Sequence, residues 1–249
     1  MSHARPVRLN PRAVERPWGV EIWFTSELDL PLLVKFITAR EKMSVQVHPD
    51  DAYAAKRHNQ RGKTEMWYIA SARPDARLAL GLNQSVDRER LREMALTGEI
   101  ERALNWIQPQ PGDMFLGLAG TIHAIGGGVE LWEVQENSDI TYRFYDYGRG
   151  RQLHLDDALN VANLAQTDPV PVRDRVACSH FIVEHREVRD SFECTPNGNG
   201  FELLIFVSGA GQIAGQPFTG GEVWLVPAGA APFTVAPTRP CDLLLARQP

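Results

Sequence analysis

Short apolar or alternating runs, each cut off by glycine, proline or an Asn/Asp turn before it reaches helix length, recur from one end of this 249-residue chain to the other. Residues 31–37 are almost continuously apolar and 43–48 alternate, and 65–70, 77–82, 114–118, 129–135 and 140–145 follow the same habit. Such runs read as strands, because successive strand residues point to opposite faces and the turns set the strand length. The 20 glycines and 17 prolines supply the punctuation. Six more short runs follow at turn-limited spacing, at 181–188, 192–195, 202–207, 212–214, 222–226 and 243–246, as expected of a sandwich or barrel.

The chain therefore reads as mainly β, two related small β-barrels with a few short helices. The looser stretch 167–171 divides a first domain, 1–165, from a second, 172–249. Helical patterning is confined to 52–58 after the Asp50-Asp51 cap, to the charge-rich segment 87–107, which Gly98 splits, and to 154–164.

A net charge of −5 without basic blocks excludes nucleic acid and anionic membrane surfaces as principal partners. No apolar run approaches the ~18–20 residues that would span a bilayer, and the N-terminus lacks the apolar core of a secretion signal. Cys178, Cys194 and Cys241 are odd in number and widely spaced, which suits reduced thiols in a cytoplasmic protein.

Three elements carry chemistry. In the strand at 43–48, Gln46 and His48 project from one face. Glu65 heads an apolar strand, where an inward carboxylate needs a partner charge; the alternative is an outward Glu65 paired with Lys63. The segment 112–124 runs through a turn, a strand and a tight Gly120 turn into His123, delivering an imidazole from a rigid backbone. Two neutral imidazoles, a carboxylate and an amide oxygen make a shell for a divalent metal, most readily Zn2+. By contrast, the glycine-rich 209–215 has the wrong spacing for dinucleotide binding and reads as a hairpin turn. His180 and His185 lack a matching carboxylate and read as structural or surface groups.

The motifs Arg16-Pro-Trp-Gly19, Leu33-Val-Lys-Phe-Ile37, Ser44-Val-Gln-Val-His-Pro-Asp-Asp51, Gly62-Lys-Thr-Glu-Met-Trp-Tyr68, Ala119-Gly-Thr-Ile-His-Ala-Ile-Gly126 and the run 133–149 occur in order. Together they resemble the type I mannose-6-phosphate isomerases (phosphomannose isomerases) of the short bacterial kind. The resemblance implies two cupin-type jelly-roll domains, the second degenerate and structural. It also implies one zinc ion per chain on His48, Glu65 and His123, with Gln46 a fourth ligand, and a small sugar phosphate as substrate. It places catalytic roles on Arg143, Glu133 and Lys63, and substrate contacts on Ser44, Lys63 and Arg143. Without it, Arg143 would read as an exposed strand arginine paired with Asp139 or Asp146. Two further readings stay open: a non-haem iron cupin oxygenase, since two His and a carboxylate also suit Fe(II), and a sugar-binding cupin without turnover. The sequence leaves the oligomeric state open.

Overall fold

The computed structural model describes residues 4–196 and 200–249, and the chain divides into two compact units. One comprises Ala13–Trp23 and Leu30–Pro171; the other comprises residues 4–12, Phe24–Asp29 and Val172–Pro249. The first residues, which the sequence reading grouped with the first domain, thus go with the second unit. The reason is a long-range pairing: Val7 and Arg8 lie antiparallel to Leu225 and Trp224.

Apart from residues 10–12 and 24–25, two antiparallel sheets lie in the first unit. One runs Asn10–Arg16, Gly19–Thr25, Leu32–Ala39, Val129–Glu136, Glu65–Ala72, Met114–Gly117; the other runs Tyr142–Tyr145, Val45–Val47, His123–Ile125, Leu78–Leu82, Leu104–Ile107. Strand alternation decides what faces what. Ile37, Trp67, Ile69, Phe115 and Leu131 from the first sheet and Leu78, Leu80 and Ile125 from the second form one core between them. The residues in between, Val45, Val47, Ala79, Ala124 and Phe144, turn to the outer face of the second sheet. There they pack on Leu91, Met94 and Ala95 of helix Arg88–Thr97 and on Ala158 and Leu159 of helix Leu155–Val161. Val45 and Val47 are therefore spent on the helices, and Gln46 is left to face inward.

The helical segment expected at 87–107 ends early. Helix Arg88–Thr97 stops at Gly98 in the left-handed region, a 3-10 turn spans Glu99–Ala103, and Leu104–Ile107 is a strand paired with Leu78–Leu82. Edge pairing beside Leu78 overrides the weak helical signal of Leu104-Asn-Trp-Ile107.

The second unit has a six-stranded and a four-stranded sheet over a core that includes Leu204, Phe206, Phe218, Trp224 and Leu243. The glycine-rich 209–215 is the hairpin turn expected: Ala214 and Gly215, both at positive φ, join Ala210–Ile213 to Gln216–Thr219. His185 sits beside Asp242 at 3.2 Å. Among the described residues none of the four sheets closes on itself, and no helix is long and apolar enough to cross a membrane.

One turn fixes the entry of the His123 strand. Gly120 has φ +86°, its N–H donates to the His48 carbonyl at 2.8 Å, and a Cβ there would lie 2.9 Å from the Val161 carbonyl oxygen. Gly120→Ala therefore meets both left-handed strain and backbone overlap, and should cost about 1–3 kcal/mol. Urea unfolding followed by tryptophan fluorescence should show the midpoint falling; an unchanged midpoint would mean the turn relaxes freely.

Candidate active site

The inward faces of the two sheets carry a row of polar residues into an otherwise apolar sandwich. On one sheet Arg143, Gln46 and His123 lie side by side across three strands. On the other, Lys35, Glu133 and Trp67 form one row, and Gln135, Glu65 and Gly117 form another. Gly117 matters because a Cβ there would lie 3.4 Å from Glu65 Cγ, so its lack of a side chain leaves room for that carboxylate.

His48, Glu65 and His123 are all buried, and one donor atom from each lies within 4.8 Å of the others. Their orientation is fixed from behind. His48 Nδ1 is 2.8 Å from the Ile140 carbonyl and His123 Nδ1 is 2.9 Å from that of Thr121, so each Nδ1–H donates outward. That leaves both Nε2 lone pairs aimed at Glu65, at 3.5 Å and 3.2 Å. Burial, then the Lys63 charge and His123, hold His48 well below its ordinary value. Burial also takes His123 down to about 4. Both rings are thus neutral, as a metal ligand must be.

Each Nε2 has one donor beside it, Lys63 Nζ at 3.1 Å from His48 and Gln46 Nε2 at 3.1 Å from His123. Glu65 Oε1 has no hydrogen-bond partner, while Oε2 accepts from Lys63 Nζ at 2.8 Å. One buried carboxylate oxygen is thus left without a donor beside two imidazole nitrogens, and an ion shared by these three side chains would satisfy it, so the donor set fits a divalent metal.

Beside this cluster stands a chain of alternating charge. Lys63 Nζ reaches Glu65 and lies 3.1 Å from His48 Nε2 and 4.0 Å from Glu133 Oε1. Glu133 Oε1 is 3.3 Å from Lys35 Nζ, and its Oε2 accepts from the Trp67 indole at 3.2 Å. Burial pushes the Glu65 carboxyl up, to about 7, against the pull of Lys63. Burial acts on Glu133 in the same sense, but Lys63, Lys35 and the indole outweigh it and bring it down to about 2. For Lys63 burial is outweighed by Glu65 and Glu133, and its ammonium is held above the ordinary value.

Gln46, Lys63, Glu133 and Arg143, with Lys35 and Trp18, line an open cavity of about 240 Å3, and the His48, Glu65 and His123 cluster adjoins it through Gln46 and Lys63. Arg143 is partly buried in this wall. Its guanidinium contacts the Gln152 carbonyl at 3.4 Å, and its main chain is clamped by His154, whose Nδ1 accepts from Arg143 N and whose N donates to Arg143 O.

Two of the sequence-derived residues sit differently from expectation. Ser44 is buried and donates to Gln46 Oε1 at 3.0 Å, so its hydroxyl supports Gln46 and does not line the cavity. Gln46 presents Nε2, 3.1 Å from His123 Nε2; a half-turn of the amide would bring its oxygen there instead. Lys35 is part of the motif Leu33-Val-Lys-Phe-Ile37, and the resemblance assigns it no role. Its signal in the sequence is a lysine inside the apolar run 31–37, and directly opposite it in the sheet is Glu133.

With this geometry in view, comparison places the chain among known proteins. Residues 19–89 match the model of the phosphomannose isomerase type I catalytic domain. The mannose-6-phosphate isomerase ManA of Bacillus subtilis is 35% identical over 225 residues, covering 82% of this chain and 71% of that protein. The chain belongs to the type I phosphomannose isomerase family. A second family member, the mannose-6-phosphate isomerase of Streptococcus mutans, is 40% identical over 142 residues, 55% of this chain and 45% of that protein. Among solved structures, the mannose 6-phosphate isomerase from Bacillus subtilis superposes with a TM-score of 0.87 at 25% identity, over 98% of this chain and 100% of that one. The phosphomannose isomerase of Salmonella typhimurium shares the fold, at a TM-score of 0.73 and 14% identity over 97% of this chain and 99% of that one. Members of the family are isomerases, and so is this chain.

Proposed function

We propose that this chain interconverts mannose 6-phosphate and fructose 6-phosphate through an enediolate, with one Zn2+ held by His48, Glu65 and His123 in a cupin-type first unit. Gln46 completes the shell once its amide is turned, and the second unit, around Val172–Pro249, serves as a structural partner of the same type. The observation that carries the reading is the convergence of two neutral imidazoles and a buried carboxylate next to the Lys63, Glu133 and Arg143 cavity.

A bound divalent ion supplies Lewis-acid polarisation of the oxygens on C1 and C2. The remaining chemistry is assigned to side chains. Glu133, ionised at physiological pH, takes the C2 proton of the aldose and returns it to C1, while the hydroxyl proton passes from O2 to O1. Its low pKa makes the first transfer uphill. The Arg143 guanidinium and the Lys63 ammonium offset that by stabilising negative charge as it develops on the enediolate oxygens. Lys35 holds Glu133 in place and ionised from the opposite strand.

Elemental analysis of the purified protein, paired with a coupled assay for fructose 6-phosphate, tests this reading. About one equivalent of zinc together with turnover is the expected result. Iron with oxygen uptake would instead select an oxygenase, and sugar binding without turnover a sensor; either overturns it.

A further inference from the structure

The side of the cavity nearer solvent carries two more guanidiniums that the isomerisation chemistry does not use. Arg16 is the last residue of strand Asn10–Arg16, and Arg151 comes from the loop after Tyr142–Tyr145. Their side chains are 30% and 25% exposed, against 3–5% for Lys35, Lys63 and Glu133.

Arg151 is a fixed fork. Its Nε and Nη2 donate to the two carboxylate oxygens of Asp146, at 2.8 and 2.5 Å, and Asp146 is itself buried, which leaves Nη1 for another acceptor. Arg16 is held by Glu21 at 3.3 Å, with Asp139 at 3.8 Å, and lies over the Trp23 ring. Its Nε is buried without a hydrogen-bond partner, and so is the Nε of Arg143 in the same wall. Burial, and after it the charge of Arg151 and, further down, that of Arg16, press the Arg143 guanidinium below its ordinary value. Three guanidiniums gather around one cavity, and although Arg16 and Arg151 each have a carboxylate partner, donors remain that an anion with several acceptor oxygens would satisfy.

We propose that Arg16 and Arg151 form an anchor for a tetrahedral oxyanion, the 6-phosphate of the sugar, and serve binding and substrate discrimination. This rests on the isomerase reading above. When C1 and C2 reach Glu133 and Lys63, the far end of a linear six-carbon chain stays toward solvent, where these two guanidiniums stand. Selection of phosphorylated over free sugars then lies in residues from a strand end and a loop, apart from the metal ligands.

Calorimetric titration of the metal-loaded protein with inorganic phosphate, beside steady-state kinetics on mannose 6-phosphate, tests the anchor. Arg16→Ala/Arg151→Ala should weaken phosphate binding roughly tenfold or more and raise KM by a larger factor than it lowers kcat. Arg90→Ala, which removes one charge from an exposed helix arginine, should change neither. Arg151→Ala strands the buried Asp146 carboxylate; if it fails to fold, Arg16→Ala alone and Arg151→Lys, which keeps the charge and loses the fork, give the same readouts. Phosphate affinity unchanged in the double variant, or no phosphate binding by the unaltered protein, overturns the anchor while leaving isomerase activity to be judged by its own assay. Loss of phosphate binding in the variants of a protein that shows no isomerisation sustains the oxyanion site and removes the isomerase reading.

Discussion

A His48→Ala/His123→Ala double variant should retain less than a tenth of an equivalent of divalent metal and should isomerise mannose 6-phosphate at about a thousandth of the unaltered rate or less. The expectation follows from how the two rings are held. Each is oriented by its own carbonyl, from Ile140 and from Thr121, so its Nε2 is already aimed and needs no rearrangement to ligate. Removing both leaves Glu65 alone, and Glu65 already has Lys63 as a partner at 2.8 Å. A lone carboxylate neutralised by an ammonium has little to offer a dication. A second readout separates lost metal from lost fold. Because a metal that binds the folded chain stabilises it by mass action, a chelator should lower the unfolding temperature of the unaltered protein and leave that of the double variant where it is. A full equivalent of metal remaining in the double variant would show that the donor set is wrong.

Much of this site is legible in the sequence because strand geometry is simple. Gln46 and His48 share a face by the two-residue period, Glu65 shares one with Trp67, and the Gly120 turn brings His123 opposite Gln46. What the period does not contain is register. Lys35 looks like an accident in an apolar run until its neighbour across the sheet is known to be Glu133, 98 residues further along the sequence. Arg16 ends the strand Asn10–Arg16 and Arg151 sits in the loop after Tyr142–Tyr145, and nothing in the sequence pattern places the two beside one cavity. Residues 104–107 carry too few residues for their own preference to prevail over pairing with Leu78–Leu82. Ser44 immediately precedes the strand Val45–Val47, and its hydroxyl comes to rest under Gln46, because the larger amide reaches the cavity and the hydroxyl does not.

Glu133→Gln should lower kcat by about 10^2–10^4 with little change in KM and no loss of metal, since it removes the proposed proton acceptor and leaves the proposed ligands of the adjoining cluster intact. The amide matches the carboxylate in shape and can still accept from the Trp67 indole, so the local packing survives. The charge does not. Lys35 is 3% exposed and loses its 3.3 Å partner, keeping only the half-exposed Asp139 at 3.9 Å, and Lys63 keeps Glu65. Removing one partner of a buried ion pair costs on the order of 3–5 kcal/mol, so the variant should also unfold at lower temperature. For that reason the comparison belongs well below the new transition, where both proteins are folded. The two losses then differ in kind. A chain that merely unfolds more easily recovers its full kcat on cooling, whereas one without its base stays slow at every temperature at which it is folded. Turnover within about threefold of the unaltered protein under those conditions would take proton transfer away from Glu133. Lys35 and Lys63 would then keep only the role of positioning and charge compensation around a carboxylate that the reaction does not use.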